Sequence, residues 1–153
     1  MAYLVVWGVP LKPTPYLRIA SVLTLIFCTL HTIGGVLSKP APGVESFVVQ
    51  TMKSNAFPAM GSMRTFWEFN LGYGLILSVV LFVHSLLFWQ LGSLVKTDGA
   101  RLRPVLALLC LEFAAQAPLA GRYFFVGPAI VSALIAACLA AAFFTAGERL
   151  SAA

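Results

Sequence analysis

Four polar side chains stand inside long apolar runs of this sequence: His31, His84, Glu112 and Gln116. An ionisable group in hydrocarbon is costly unless it faces a partner or water, so His31, His84 and Glu112 are candidate functional residues by default, and Gln116 joins them as an uncharged polar group. A carboxyl near the bilayer middle needs a proton, a cation or water to be tolerated, which makes Glu112 the strongest of them. The residue type alone leaves His31 and His84 open. Each reads either as a ring hydrogen-bonded to a neighbouring helix or as an acid and base. A carboxyl beside an imidazole could isomerise, cyclise or open an epoxide on a lipophilic molecule by moving protons. On that reading Glu112, His31 and His84 are catalytic, and Gln116, Tyr73, Asn70, Glu68 and Arg122 bind the substrate.

Other chemistries find no footing. Cys28, Cys110 and Cys138 each lie in an apolar run with no CxxC spacing, and no two ligand-type residues sit close in sequence, so no metal is expected. A phosphate-binding glycine loop, a GxSxG elbow and an HExxH helix are absent, and no cofactor is expected. The net charge of +5 comes from ten basic residues scattered through loops and span ends. Nucleic acid needs clustered charge and is not an expected partner.

The elements that must carry these residues are membrane helices. Sixty per cent of the 153 residues are apolar and a tenth are charged, a balance that points to lipid as the main solvent. The expectation is one all-α integral membrane domain over residues 1–153, a four-helix bundle with spans at about 17–37, 66–91, 104–126 and 129–146. Pro118 is expected to kink the third span. Pro10, Pro13 and Pro15 should keep residues 1–16 from forming a regular helix, with residues 3–7 resting at the interface. The first apolar run lacks a basic leader and a small-x-small cleavage site, and reads as a retained helix. Residues 38–65 form the long extramembrane connection. There Val44, Phe47, Val48 and Met52 recur at helical spacing, as a short interfacial helix between spans 1 and 2, and a possible lid, would require.

Counting depth at about 1.5 Å per residue puts His31 and Gln116 at one level and His84 and Glu112 at another. That separates the two histidines by roughly 11 Å, too far to share a haem without large tilts. Stripes supply a second check. Ser21, Thr24, Cys28, His31 and Gly35 share one side of span 1, and Asn70, Tyr73, Leu77, Val80 and His84 one side of span 2. On span 3, Glu112, Gln116 and Tyr123 share a face. The three stripes converge on one polar column walled by the apolar fourth span. Glu68 sits one turn from Arg64 at the outer end of span 2, and its plainer reading is an ion pair with Arg64 or Arg122. Lys12, Arg18, Lys96, Arg101, Arg103 and Arg149 fall on the side of the termini, against Lys39, Lys53, Arg64 and Arg122 opposite, so both termini are expected in the cytoplasm.

Besides the acid–base enzyme, two alternatives stand. One is a small proton-linked transporter or ligand-binding bundle using the same column. The other is a structural subunit of a membrane complex, or a homo-oligomer packed through the Ala-rich span 4.

The segments His31-Thr32-Ile33-Gly34-Gly35 and Phe66-Trp67-Glu68-Phe69-Asn70-Leu71-Gly72-Tyr73-Gly74 resemble those of small bacterial four-span membrane proteins. This resemblance covers the first two spans; it implies a bacterial cytoplasmic membrane and no particular activity. In architecture the chain is similar to the EXPERA family, sterol isomerases and a sterol-binding receptor built on small bundles with intramembrane acids. In those isomerases a histidine is followed four residues later by glutamate, whereas here His31 is followed at that spacing by Gly35 and His84 by Phe88. No catalytic role carries over residue by residue. What the resemblance implies is a lipophilic small molecule or lipid as partner.

Overall fold

A computed structural model describes residues 5–6, 9–10 and 12–146 of the chain. Tyr3, Trp7 and Arg149, used above for the interfacial and charge readings, lie outside the described residues. Two residue pairs near the start, β1 (Val5–Val6) and β2 (Val9–Pro10), form a minimal antiparallel ladder. Helix α1 (Pro13–Thr29) begins four residues before Leu17. Pro13 and Pro15 are accommodated because N–H groups of a first turn have no intrahelical acceptor in any case. The helix continues as π-helical turns over Leu30–Val36, closed by Leu37 N–H donating to Thr32 O at 2.9 Å.

The connection contains helix α2 (Val44–Ser54) and a hairpin, β3 (Ala56–Ala59) paired antiparallel with β4 (Ser62–Thr65). The next two expected spans form one helical run, α3 (Phe66–Tyr123), whose only non-helical dihedrals are at Asp98. Helical dihedrals carry on through Pro118. Helix α4 is Val126–Thr145. Three helical stretches, Pro13–Val36, Phe66–Tyr123 and Val126–Thr145, are long and apolar enough to cross a membrane, and the chain is a helical membrane protein.

The chain forms two compact units, one made of the residues up to Phe27 and from Val83 on, the other of Cys28–Phe82. In the first, α3 doubles back at Asp98, because residues on either side of it meet: the rings of Phe88 and Phe113 lie 5.8 Å apart. A straight helix would separate them by roughly 37 Å. These two rings, with Leu17 and Ala20 of α1, Leu106 of α3 and Ile135 and Leu139 of α4, form a buried core. Two hydroxyls tie α1 to α3 reciprocally, Ser21 Oγ donating to Ser85 O at 2.7 Å and Ser85 Oγ to Ser21 O at 3.1 Å. On α4, Ser132, Ala136 and Ala142 are buried within this unit, while Ala133 and Ala137 are exposed.

The second unit is held differently. Leu81 is its one buried hydrophobic residue among the described residues. The α1 side meets α3 through polar contacts instead: Cys28 Sγ donates to Ser78 O at 3.3 Å, Thr32 Oγ1 approaches Ser78 Oγ at 2.8 Å, and His31 Nε2 lies 3.0 Å from Gly74 O.

Candidate functional site

The depth count puts His84 and Glu112 at one level, and the two side chains meet. His84 projects from the first limb of α3 and Glu112 from the second, with Nε2 and Oε2 3.3 Å apart. The reversal at Asp98 makes this possible, since the limbs run antiparallel and residues equidistant from the turn come level. The imidazole is walled by two wholly buried rings, Phe88 at 5.8 Å and Phe113, edge-on, at 5.7 Å. The two partners are not equally enclosed. The His84 side chain is 16% exposed and that of Glu112 is 40% exposed.

The ring's two nitrogens therefore differ. Nε2 faces the carboxyl group, whereas Nδ1 is buried and has no hydrogen-bond partner among the described residues. A proton on Nδ1 would be a buried donor with no acceptor among the described residues, whereas a proton on Nε2 points at a carboxyl oxygen that can accept it. The neutral ring therefore carries its proton on Nε2, toward Glu112. Chemically the site is a carboxyl with an imidazole behind it and an open approach in front, able to give and take a proton along one edge.

Gln116 lies one helical turn beyond Glu112 and accepts a hydrogen bond from the buried Ser132 Oγ of α4 at 3.5 Å. The fourth helix thus contributes a polar group, one lone serine in an apolar stretch that sequence reasoning passes over. At the basic end of the same unit, Arg18 stacks 3.6 Å over Trp89 and donates to Ser93 Oγ at 2.8 Å, while Arg103 lies 4.4 Å over Phe143. Arg122 stands 5.9 Å over its neighbour Tyr123.

The other candidates belong to the second unit. The stripe on α1 is as expected, with Cys28 and His31 both bonded. On α3 the bonded side is that of Gly74 and Ser78; Asn70, one turn before Gly74, and Tyr73 are exposed. A stripe traced back from His84 misses it; the closer guide is the small residue, because a helix can approach only where side chains are short. A Cβ on Gly74 would stand 2.8 Å from Val36 Cγ2. A backbone carbonyl can only accept, so His31 Nε2 donates to Gly74 O, and that nitrogen is committed to packing.

Glu68 has a structural role that the ion-pair reading misses. Its carboxylate accepts from Thr65 N–H, its own N–H donates to Thr65 Oγ1 at 3.2 Å, and Arg64 Nη1 lies 3.8 Å away. This is a capping box at the start of α3, and its signal, Thr65-x-x-Glu68, is present in the sequence. No cluster of three or more metal-ligating side chains occurs among the described residues. Comparison with protein-family models, with characterised proteins and with solved structures finds no match.

Proposed function

We propose that this protein is a membrane-embedded acid–base enzyme that isomerises or cyclises a lipophilic small molecule or opens an epoxide on it, with Glu112 exchanging the proton and His84 holding and balancing it. The observation that carries the reading is the 3.3 Å contact of Glu112 with one imidazole nitrogen while the other is buried without a hydrogen-bond partner among the described residues. A proton relay through the ring needs both nitrogens, one to receive and one to pass on. With Nδ1 closed, a proton taken up by the pair returns through the exposed side of Glu112. That favours chemistry on a ligand at the carboxyl over proton-linked transport. Gln116, braced by Ser132, stands on the same helix face to bind an oxygen of that ligand.

The chain is proposed to cross the bilayer four times as a helical bundle. The reversal at Asp98 supports this, since each limb of α3 is longer than the roughly 30 Å hydrocarbon thickness. The excess of basic residues on the side of the termini supports a cytoplasmic location for both ends; the membrane is proposed to be a bacterial inner membrane. A terminal tag that reacts with an impermeant reagent on intact cells would reverse that orientation.

The test works without an identified substrate. Protein in nanodiscs is incubated with a lipid extract in D₂O; isomerisation adds a deuteron to one carbon and removes a proton from another, leaving a mass-shifted product. We expect a deuterated lipophilic product with the wild-type chain and a loss of about 10²–10⁴-fold in Glu112→Gln. If Glu112→Gln labels the product as fast as wild type, the assignment fails. Proton-driven solute uptake by liposomes, without product labelling, would establish the transporter instead.

A further inference from the structure

Residues 44–65 carry an apolar surface with no cover. Helix α2 buries none of its residues, and Val44, Phe47 and Val48, spaced along one side, are all exposed. The hairpin behind it is the more informative feature. Its turn residues are Met60, at φ 46°, and Gly61, at φ 86°. Two positive φ values in a two-residue turn suit Asn-Gly, and a long apolar side chain at the first position works against the backbone. Met60 gains nothing from packing to offset this, because its side chain is fully exposed, and Met63 is largely exposed beside it.

The apolar surface continues onto α3. Phe57 of β3 packs on Phe66 and Phe69 at 4.6 and 5.9 Å, Phe69 meets Tyr73 at 6.4 Å, and exposed Ile76 and Val79 follow along the helix. Basic groups border this surface, with Lys53 placed 4.5 Å over the Trp67 ring. Aromatic rings paired with lysine are the composition of a membrane–water boundary. The segment is also tethered at both ends: residues 37–43 link it to the end of the π-helical turns, and β4 runs directly into α3. It therefore stays within reach of the bilayer surface that those helices enter.

We infer that the hairpin tip, Met60 with Met63, is a lipid-inserting anchor that seats residues 44–65 among the headgroups of a phospholipid bilayer, with the apolar side of α2 downward. The inference rests on the membrane placement and is independent of the acid–base site. A bulky apolar residue at a turn position better suited to asparagine is then explained by acyl chains, which give the thioether the apolar surroundings that the protein does not.

The wild-type chain itself can report the outcome. Cleavage after Lys53 and Arg64 releases residues 54–64 as one peptide, and cleavage after Lys96 releases residues 65–96. The protein is reconstituted in pure phosphatidylcholine vesicles containing a phospholipid with a photoactivated diazirine on its acyl chain, illuminated, digested and mapped by mass spectrometry. We expect adducts on Met60 and Met63 in peptide 54–64, as well as on the spanning peptide 65–96. Labelling of 65–96 with none on 54–64 would overturn the inference. In the double variant Met60→Asn, Met63→Ser, where asparagine suits the turn, adducts on 54–64 should fall by more than half and those on 65–96 should not change. Undiminished labelling of 54–64 in that variant would also overturn it. So would protection of Met60 from an aqueous oxidant in native membranes combined with no lipid adducts in vesicles, an outcome that points to a protein partner.

Discussion

In the first unit Phe88 and Phe113 are wholly buried and lie against the His84 ring, and polar contacts between helices are backed by that core. In the second, Leu81 alone is buried among the described hydrophobic residues, and the contacts that matter are His31, Thr32 and Cys28 against Gly74 and Ser78. Close-packed side chains hold their neighbours by many small dispersion contacts and resist displacement. Hydrogen bonds between membrane helices contribute only about 0.6 kcal/mol each on average. The difference explains why the histidine in the first unit is the better candidate for chemistry. A proton-transferring pair needs rigid surroundings, and His84 has them; the Nε2 of His31 is itself one of the ties that hold its unit together.

The comparison breaks first at Phe113. Phe113→Ala empties a fully buried site and should cost about 3–5 kcal/mol in thermal unfolding in nanodiscs, with loss of the His84–Glu112 geometry. Val79→Ala, on an exposed side of the same helix in the second unit, should stay within about 0.5 kcal/mol. Equal losses from the two substitutions would mean that the core of the first unit is not what stabilises the protein.

A smaller effect is expected at Gly99, next to the reversal. A Cβ there would stand 2.9 Å from the carbonyl oxygen of Ala146, and a backbone atom cannot swing aside as a side-chain tip does. Gly99→Ala should therefore destabilise by about 1–3 kcal/mol in the same unfolding measurement. A neutral result would show that the reversal at Asp98 is loose, and with it the alignment that brings Glu112 to His84.

The parts of this arrangement that are legible in the sequence are those governed by a single periodicity. The α1 stripe through Ser21, Thr24, Cys28 and His31 follows from helical spacing, and the meeting of His84 and Glu112 follows from a constant rise along two antiparallel limbs. What is not legible depends on choices that period alone leaves open. The packed side of α3 is fixed by Gly74 and Ser78, and an ionisable residue such as His84 is a poorer marker of it than the small residues. The hairpin is hidden in the sequence because Met60 occupies a position where asparagine or glycine would have signalled a turn. Glu68 draws attention as a charge at a span end, while its spacing from Thr65 marks it as a cap.

The finest test of the comparison lies wholly within the second unit, between two glycines that differ in what surrounds them. At Gly74 an added Cβ would stand 2.8 Å from Val36 Cγ2, and the same residue's carbonyl accepts from both His31 Nε2 and Ser78 Oγ. At Gly34, in the π-helical turns, an added Cβ meets nothing within 4 Å. Alanine is favoured over glycine in a helix by about 1 kcal/mol, so both substitutions start with the same gain. Gly34→Ala should keep most of it and raise the unfolding temperature. In Gly74→Ala the valine must move, and β-branching leaves it few rotamers in which to do so. The displacement also lengthens the hydrogen bonds at the Gly74 carbonyl. We expect the gain to be cancelled or reversed, leaving Gly74→Ala up to about 1 kcal/mol less stable than wild type. If both variants are stabilised equally, close approach at Gly74 is not what joins the two helices, and the polar ties of this unit bear less than the structure assigns to them.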